Sequence, residues 1–179
     1  MNLRDAVSLG SGLPITPLKG DAATLSPEEF EDRHGSAFLL LTAAELCVPR
    51  GPGSTEVRLL DDLPRSESTA ALNLMAFPMR CREGTPGALV TIGRAGNSDV
   101  LVPDLSISRF HAFAKRGPDG HWRIHDAGST NGTTVNGRSA PQQGNGQPET
   151  LKTGATLRLG QVEFTFLEVG AMLEYLAKL

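Results

Sequence analysis

From about residue 72 onward, short runs of alternating or continuous apolar residues are each closed by a cluster of Gly, Pro, Asn or Asp. That pattern predicts strands joined by turns. The expected strands are 72–82, 88–92, 99–102, 110–115, 122–125 and 133–135, followed by a final hairpin of 155–159 and 162–168 across Gly160-Gln161. Turns are expected at 84–87, at 95–98, at 117–120 and at Asn136-Gly137, with a Gly/Gln/Pro-rich loop over 139–150. Residues 170–179 read as a helix, with Met172, Tyr175, Leu176 and Leu179 on one face.

The first seventy residues read differently. Residues 1–25 scatter single apolar residues among Gly, Pro, Ser and Thr, so a mostly irregular arm is expected. Ser26-Pro27-Glu28-Glu29 is a helix start: Ser26 can cap, Pro27 suits the first helical position, and Glu29 can complete a capping box. This helix should end near His34-Gly35. The apolar run 37–41 must be buried. Residues 42–48 continue it as strand or helix, and periodicity does not decide which. A turn-rich break at 49–54 and a polar linker at 61–70 follow. Such an arm is too thin for a core of its own, so 38–41 is expected to pack on the β domain, extending a sheet edge. The alternative is a docking segment that orders only on a partner. The expected division is an extension over 1–71, a β domain over 72–169 and a closing helix over 170–179.

Composition narrows the class. In 179 residues there are 20 Gly and 12 Pro, which suits an all-β domain rich in turns. No apolar run reaches membrane-spanning length and no leader-like start is present, so a soluble, cytoplasmic protein is expected. Cys47 and Cys81 are too few for a disulfide framework and are expected as reduced thiols. The net charge of −3 is uneven. Residues 1–71 hold six Lys+Arg against eleven Asp+Glu, whereas 72–169 hold ten against eight. A slightly basic domain without a basic stripe argues against nucleic acid and suits an anionic peptide.

The candidate chemistry lies between residues 93 and 137. Gly93-Arg94, Ser108-Arg109-Phe110-His111, Ser129-Thr130-Asn131-Gly132 and Asn136-Gly137 each fall where a predicted strand meets a turn. The set holds two cations, hydroxyls and an amide, with no carboxylate or thiol placed as base or nucleophile. Arg94 can offer a fixed fork of N–H donors to an oxyanion, and Ser108 a hydroxyl beside a nest of backbone N–H groups. That inventory holds an anion and a peptide backbone. It does not break bonds. His121 and His125 have the spacing of a helical metal pair, but they sit in a predicted strand without companion ligands and read as solvated strand histidines.

Gly-Arg, Ser-x-x-His, Ser-Thr-Asn-Gly-Thr and Asn-Gly in this order resemble the forkhead-associated (FHA) domain, over roughly residues 72–169. The resemblance implies an eleven-stranded β-sandwich whose loops at one end bind a phosphothreonine peptide. It implies that Arg94, Ser108, Arg109 and Thr130 meet the phosphate, Arg109 from the outer side, and that Asn131 holds the ligand main chain. Gly93, His111, Gly132, Asn136 and Gly137 would support the site, with His111 fixing the loop of Ser108 and taking no catalytic part. No enzyme activity, cofactor or metal is implied. The implied partner is a phosphothreonine-containing protein, a kinase or a kinase substrate, and neither nucleic acid nor membrane. Two alternatives stay open: a phosphate-independent scaffold, or self-regulation by a phosphorylated Thr16, Thr24, Thr42, Thr55 or Thr69 of the arm.

Overall fold

The run Ala37-Phe38-Leu39-Leu40-Leu41 is apolar on both sides because it is buried on both sides. In the computed structural model, which describes residues 11–41, 48–49, 57–58, 74–80 and 89–179, Ala37–Leu41 forms strand β2, with all five residues buried. Alternate side chains of a strand point to opposite faces. Ala37, Leu39 and Leu41 enter the core between two sheets, while Phe38 and Leu40 enter a second core beneath the helices. A doubly covered strand loses the polar alternation by which strands are usually read.

Two strands flank β2 in its sheet. The two-residue β1 (Leu13–Pro14) pairs with β5 (Met75–Pro78), and β5 pairs with β2. On its other side β2 pairs antiparallel with β14 (Val162–Glu168). The sheet continues through β13 (Thr156–Leu159) and β10 (Thr133–Val135) to β11 (Arg138–Ser139), giving seven strands. Facing it is a five-stranded sheet in the order β12 (Glu149–Leu151), β9 (Trp122–Asp126), β8 (Ala112–Arg116), β6 (Leu89–Gly93) and β7 (Val100–Leu101). The backbones of β3 (Val48–Pro49) and β4 (Val57–Arg58) pair as a separate ribbon. The fold is the expected β-sandwich. β2 lies inside the larger sheet, where an edge position was expected, because β5 and β14 hydrogen-bond to it on its two sides.

Three helices cover the outer face of the larger sheet. α2 (Pro27–His34) begins as expected: the Ser26 hydroxyl accepts from Glu29 N, and the Glu29 carboxylate accepts from Ser26 N. Replacing Ser26 by alanine should lower unfolding free energy by about 1 kcal/mol, with the urea midpoint as the measurement. α3 (Val169–Lys178) buries Met172 and Leu176, leaves Tyr175 half-buried, and exposes the Leu179 assigned to its apolar face. α1 (Ile15–Thr24) stands where an irregular arm was expected. It has no side-chain cap and contains Pro17 and Gly20, both poor for a helix interior. Pro17 lies in the first turn, where a missing N–H breaks no helical bond. Ile15 and Leu18, buried against the α3 cluster, supply what propensity does not. Among the described residues no helix is long and apolar enough to cross a membrane. Cys47, Cys81, the turn at 84–87 and the linker at 61–70 lie outside the described residues.

Candidate ligand-binding rim

Gly93 closes β6 at a point where a Cβ would collide with the Arg109 carbonyl. Because the backbones approach this closely, Arg94 N donates to Ser108 O and Ala95 N to Arg109 O, each at 3.0 Å. Loop 102–111 is thereby laid along the end of β6. Arg94 is half-buried, and its Nε donates to Ile107 O at 3.1 Å. One edge of the guanidinium is held by backbone; its terminal nitrogens make no hydrogen bond among the described residues. Such a fork is ordered before any ligand arrives.

Ser106 ties this loop to its neighbours. The buried Asp104 carboxylate accepts from Ser106 N (2.8 Å) and Oγ (2.6 Å). Ser106 Oγ accepts from Gln161 N at 3.0 Å, and Ser106 O accepts from Asn131 Nδ2 at 2.8 Å. Gly160 has φ +61°, and a side chain there would strike the Ser106 carbonyl.

His111 is fully buried and joins two loops through its ring. Nδ1 accepts from Ser108 N at 3.0 Å and Nε2 donates to Gly132 O at 3.1 Å. These partners require the neutral imidazole with its proton on Nε2. Burial depresses its pKa, against the opposing pull of the Gly132 carbonyl and the Asp126 charge. A histidine depressed in the fold gives stability that is present above its unfolded value, about 6.5, and lost as pH falls.

Asp126, which was not singled out from the sequence, builds the third loop. Its Oδ1 accepts from Gly128 N and Ser129 N, each at 2.8 Å. Its Oδ2 accepts from Ser129 Oγ (2.6 Å) and Thr133 Oγ1 (2.7 Å). Ser129 Oγ in turn accepts from Gly132 N at 2.9 Å. Burial pushes the Asp126 pKa up, but the hydrogen bonds from Ser129, Thr133 and Gly128 together outweigh it and hold the pKa below the usual aspartate value. An Asp followed three residues later by Ser in a loop is the signal that could have revealed this.

The three loops bring together Arg94, Ser108, Arg109, Thr130 and Asn131. Ser108 Oγ accepts from Thr130 N at 3.0 Å and lies 3.5 Å from Thr130 Oγ1. Arg109, Thr130 and Asn131 are exposed and Ser108 is half-buried. Asn136-Gly137 is not in this group. The two residues form a two-residue turn with φ of 49° and 79° between β10 and β11, and Asn136 Oδ1 accepts from Thr156 N. That turn stands at the end of β10 away from Gly132, on the order of 10 Å along the strand. His125 stacks on Phe113 with centroids 5.3 Å apart and faces Pro141 O at 3.3 Å, while His121 is exposed. Among the described residues no three His, Cys, Asp or Glu are grouped as a metal site. The Asp104 and Asp126 carboxylates are occupied in holding loops. What faces outward is a set of donors that can surround an anion.

The FHA domain family model matches residues 90–160. The chain is 36% identical over 78 residues to the oxoglutarate dehydrogenase inhibitor of Corynebacterium diphtheriae, covering 44% of this chain and 50% of that one. It is 30% identical over 125 residues to the protein of the same name from Corynebacterium jeikeium, covering 70% and 65%. The chain thus spans about half to two thirds of the length of these relatives. Among solved structures, Mycobacterium tuberculosis EmbR in complex with a low-affinity phosphopeptide is similar at 26% identity and TM-score 0.40, covering 51% of this chain and 21% of that one. The family match falls on the strands and loops that carry the rim, and it is over this stretch that the chain is similar to an FHA domain.

Proposed function

We propose that this chain is a phosphothreonine-peptide binding module acting as an adaptor or regulator in cytoplasmic signalling. The observation that carries the reading is the ordered donor set at one rim: Arg94 pinned through Nε, Ser108 and Thr130 in register, and Arg109 and Asn131 exposed beside them. A phosphothreonine brings close to two negative charges and three strong acceptor oxygens. Arg94, Ser108, Arg109 and Thr130 would meet the phosphate. Asn131, with one amide hydrogen on Ser106 O, would use its remaining groups on the ligand main chain. Gly93, His111 and Gly132 would support the loops, and Asn136 and Gly137 the strand behind them. In this reading 72–169 is the binding unit, 1–71 its extension and 170–179 its closing helix. The partner is a phosphothreonine-containing protein, a kinase or a kinase substrate, and neither nucleic acid nor membrane. The relatives' name makes oxoglutarate dehydrogenase a further partner to test.

Self-regulation finds little support among the described threonines. Thr16 and Thr24 lie in α1, packed over the larger sheet, so presenting either as an extended ligand would require α1 to unfold. Thr42, Thr55 and Thr69 lie outside the described residues.

Binding to an oriented library of matched phosphothreonine, phosphoserine and unphosphorylated peptides tests the proposal. Phosphothreonine should bind more tightly than phosphoserine by about fourfold, the equivalent of one buried methyl at about 0.8 kcal/mol. Affinity indifferent to phosphate would replace this reading with the scaffold.

A further inference from the structure

Large apolar side chains are rarely left in water without a reason when they gather beside a binding site. Among the described residues the exposed ones are Leu105 (46%), Phe110 (49%) and Leu179 (42%), and the first two belong to the loop that carries Ser108 and Arg109. Phe110 begins a strip. Its ring lies parallel to Phe113 at 6.4 Å and 11°, and Phe113 stacks on His125 at 5.3 Å and 27°.

The strip follows from strand alternation. Ala112, Ala114 and Ile124 point into the core and are fully buried, so Phe113, Lys115, Arg123 and His125 occupy the opposite face of β8 and β9. Phe113 pairs with His125, and Lys115 with Arg123 one step further from the rim. The helices that cover the larger sheet have no counterpart among the described residues here, and Phe113 and His125 stay only partly buried while Lys115 is exposed. On this face Arg109 and Lys115 are exposed cations, Arg123 and Asp119 pair with each other, and the half-buried Asp99 carboxylate is tied to Thr91, the neighbour of Phe113 on β6.

We propose that this aromatic strip is a second docking surface for the phosphorylated partner, receiving an acidic segment with an aromatic or long apolar side chain that continues from the phosphothreonine. The inference rests on the phosphothreonine reading above. Its occupant follows from continuity and charge: Phe110 adjoins Arg109 in the chain, and the cations framing the strip favour an acidic flank. From Ser108 to Phe113 is five residues. The chain bends at residues 109 and 110, so at about 3.3 Å per residue an extended ligand would reach the strip within about five positions of its phosphothreonine.

The test uses the full chain and synthetic peptides. A phosphothreonine peptide with Glu-Trp-Glu centred five positions to one side or the other of the phosphothreonine is compared with the same peptide carrying Gly-Ser-Gly. One Trp peptide should bind about five- to tenfold more tightly. Phe110→Ser should abolish that gain while leaving the Gly-Ser-Gly peptide unaffected, and Phe110→Leu should keep part of it, with melting curves showing both variants folded. No gain on either side, or a gain that survives in Phe110→Ser, overturns the proposal. So does self-association of the wild type lost in Phe110→Ser, which would assign the strip to a second copy of the chain. If no phosphothreonine peptide binds with or without Trp, it is the phosphothreonine reading that fails, and this one with it.

Discussion

Replacing Arg94 by alanine should weaken phosphothreonine-peptide binding at least tenfold while leaving the protein folded. Charge-assisted hydrogen bonds contribute roughly 1.5–3 kcal/mol each, and every 1.4 kcal/mol is about tenfold in affinity. Arg94 is favoured for this role over Arg109 because its rotamer is already limited. Half-buried and bonded through Nε to Ile107 O, it gives up little side-chain entropy when a phosphate arrives. Arg109 is exposed, so its contribution is screened by salt. Arg109→Ala should therefore cost less than Arg94→Ala, and less still as ionic strength rises. Arg94→Lys keeps the charge but loses both the fork and the Nε anchor, so it should recover only part of the affinity. Calorimetric titration of the variants against one phosphopeptide, with circular dichroism as the folding check, measures this. A folded Arg94→Ala that binds like wild type would remove Arg94 from the site.

Why Arg94, Ser108 and His111 stand out in the sequence while Asp126 and Ser106 do not has a physical answer. The rim residues are short-range features, each announced by a strand that stops at Gly or at a hydroxyl-rich turn. Asp126 was passed over because it reads as the last residue of a strand, and its four hydrogen bonds appear only when the loop folds back on it. Ser106 is a node only because residues 131 and 161 arrive beside it. α1 was missed because its stability resides in contacts with α3, which no local propensity contains. β2 reads as a buried run, but its interior place depends on β5 and β14, distant in the chain, pairing on its two sides. The Asn136-Gly137 turn was read correctly as a turn. Its distance from the rim was also available, since Gly132 and Asn136 flank a single strand and a strand separates its two ends.

Replacing Asp126 by alanine should destabilise the protein by about 3 kcal/mol and loosen the Thr130-Asn131 loop. The carboxylate is 4% exposed and takes four donors. Deleting it strands the Thr133 hydroxyl, only 2% exposed, whereas Gly128 and Ser129 lie nearer water and can be rehydrated. An unpaired buried donor costs roughly 1–3 kcal/mol, and lost bonds to a charged acceptor add to that. Asp126→Asn should cost about half as much. Its oxygen still accepts from Gly128 N and Ser129 N, and its NH2 can donate to hydroxyls that rotate to accept. The pH dependence has a definite sign. The Asp126 pKa is held below its ordinary 3.8, so the stability it confers is present above that value and lost as pH falls through the folded-state pKa. Urea unfolding should therefore separate wild type from Asp126→Ala widely at pH 7 and progressively less as pH falls below 3.8. At pH 7 and temperatures where the variant stays folded, phosphopeptide affinity should fall about tenfold, because Thr130 and Asn131 must be ordered by the ligand itself. A variant as stable as wild type, with a loop as protected in hydrogen exchange, would mean that Asp126 does not organise the rim.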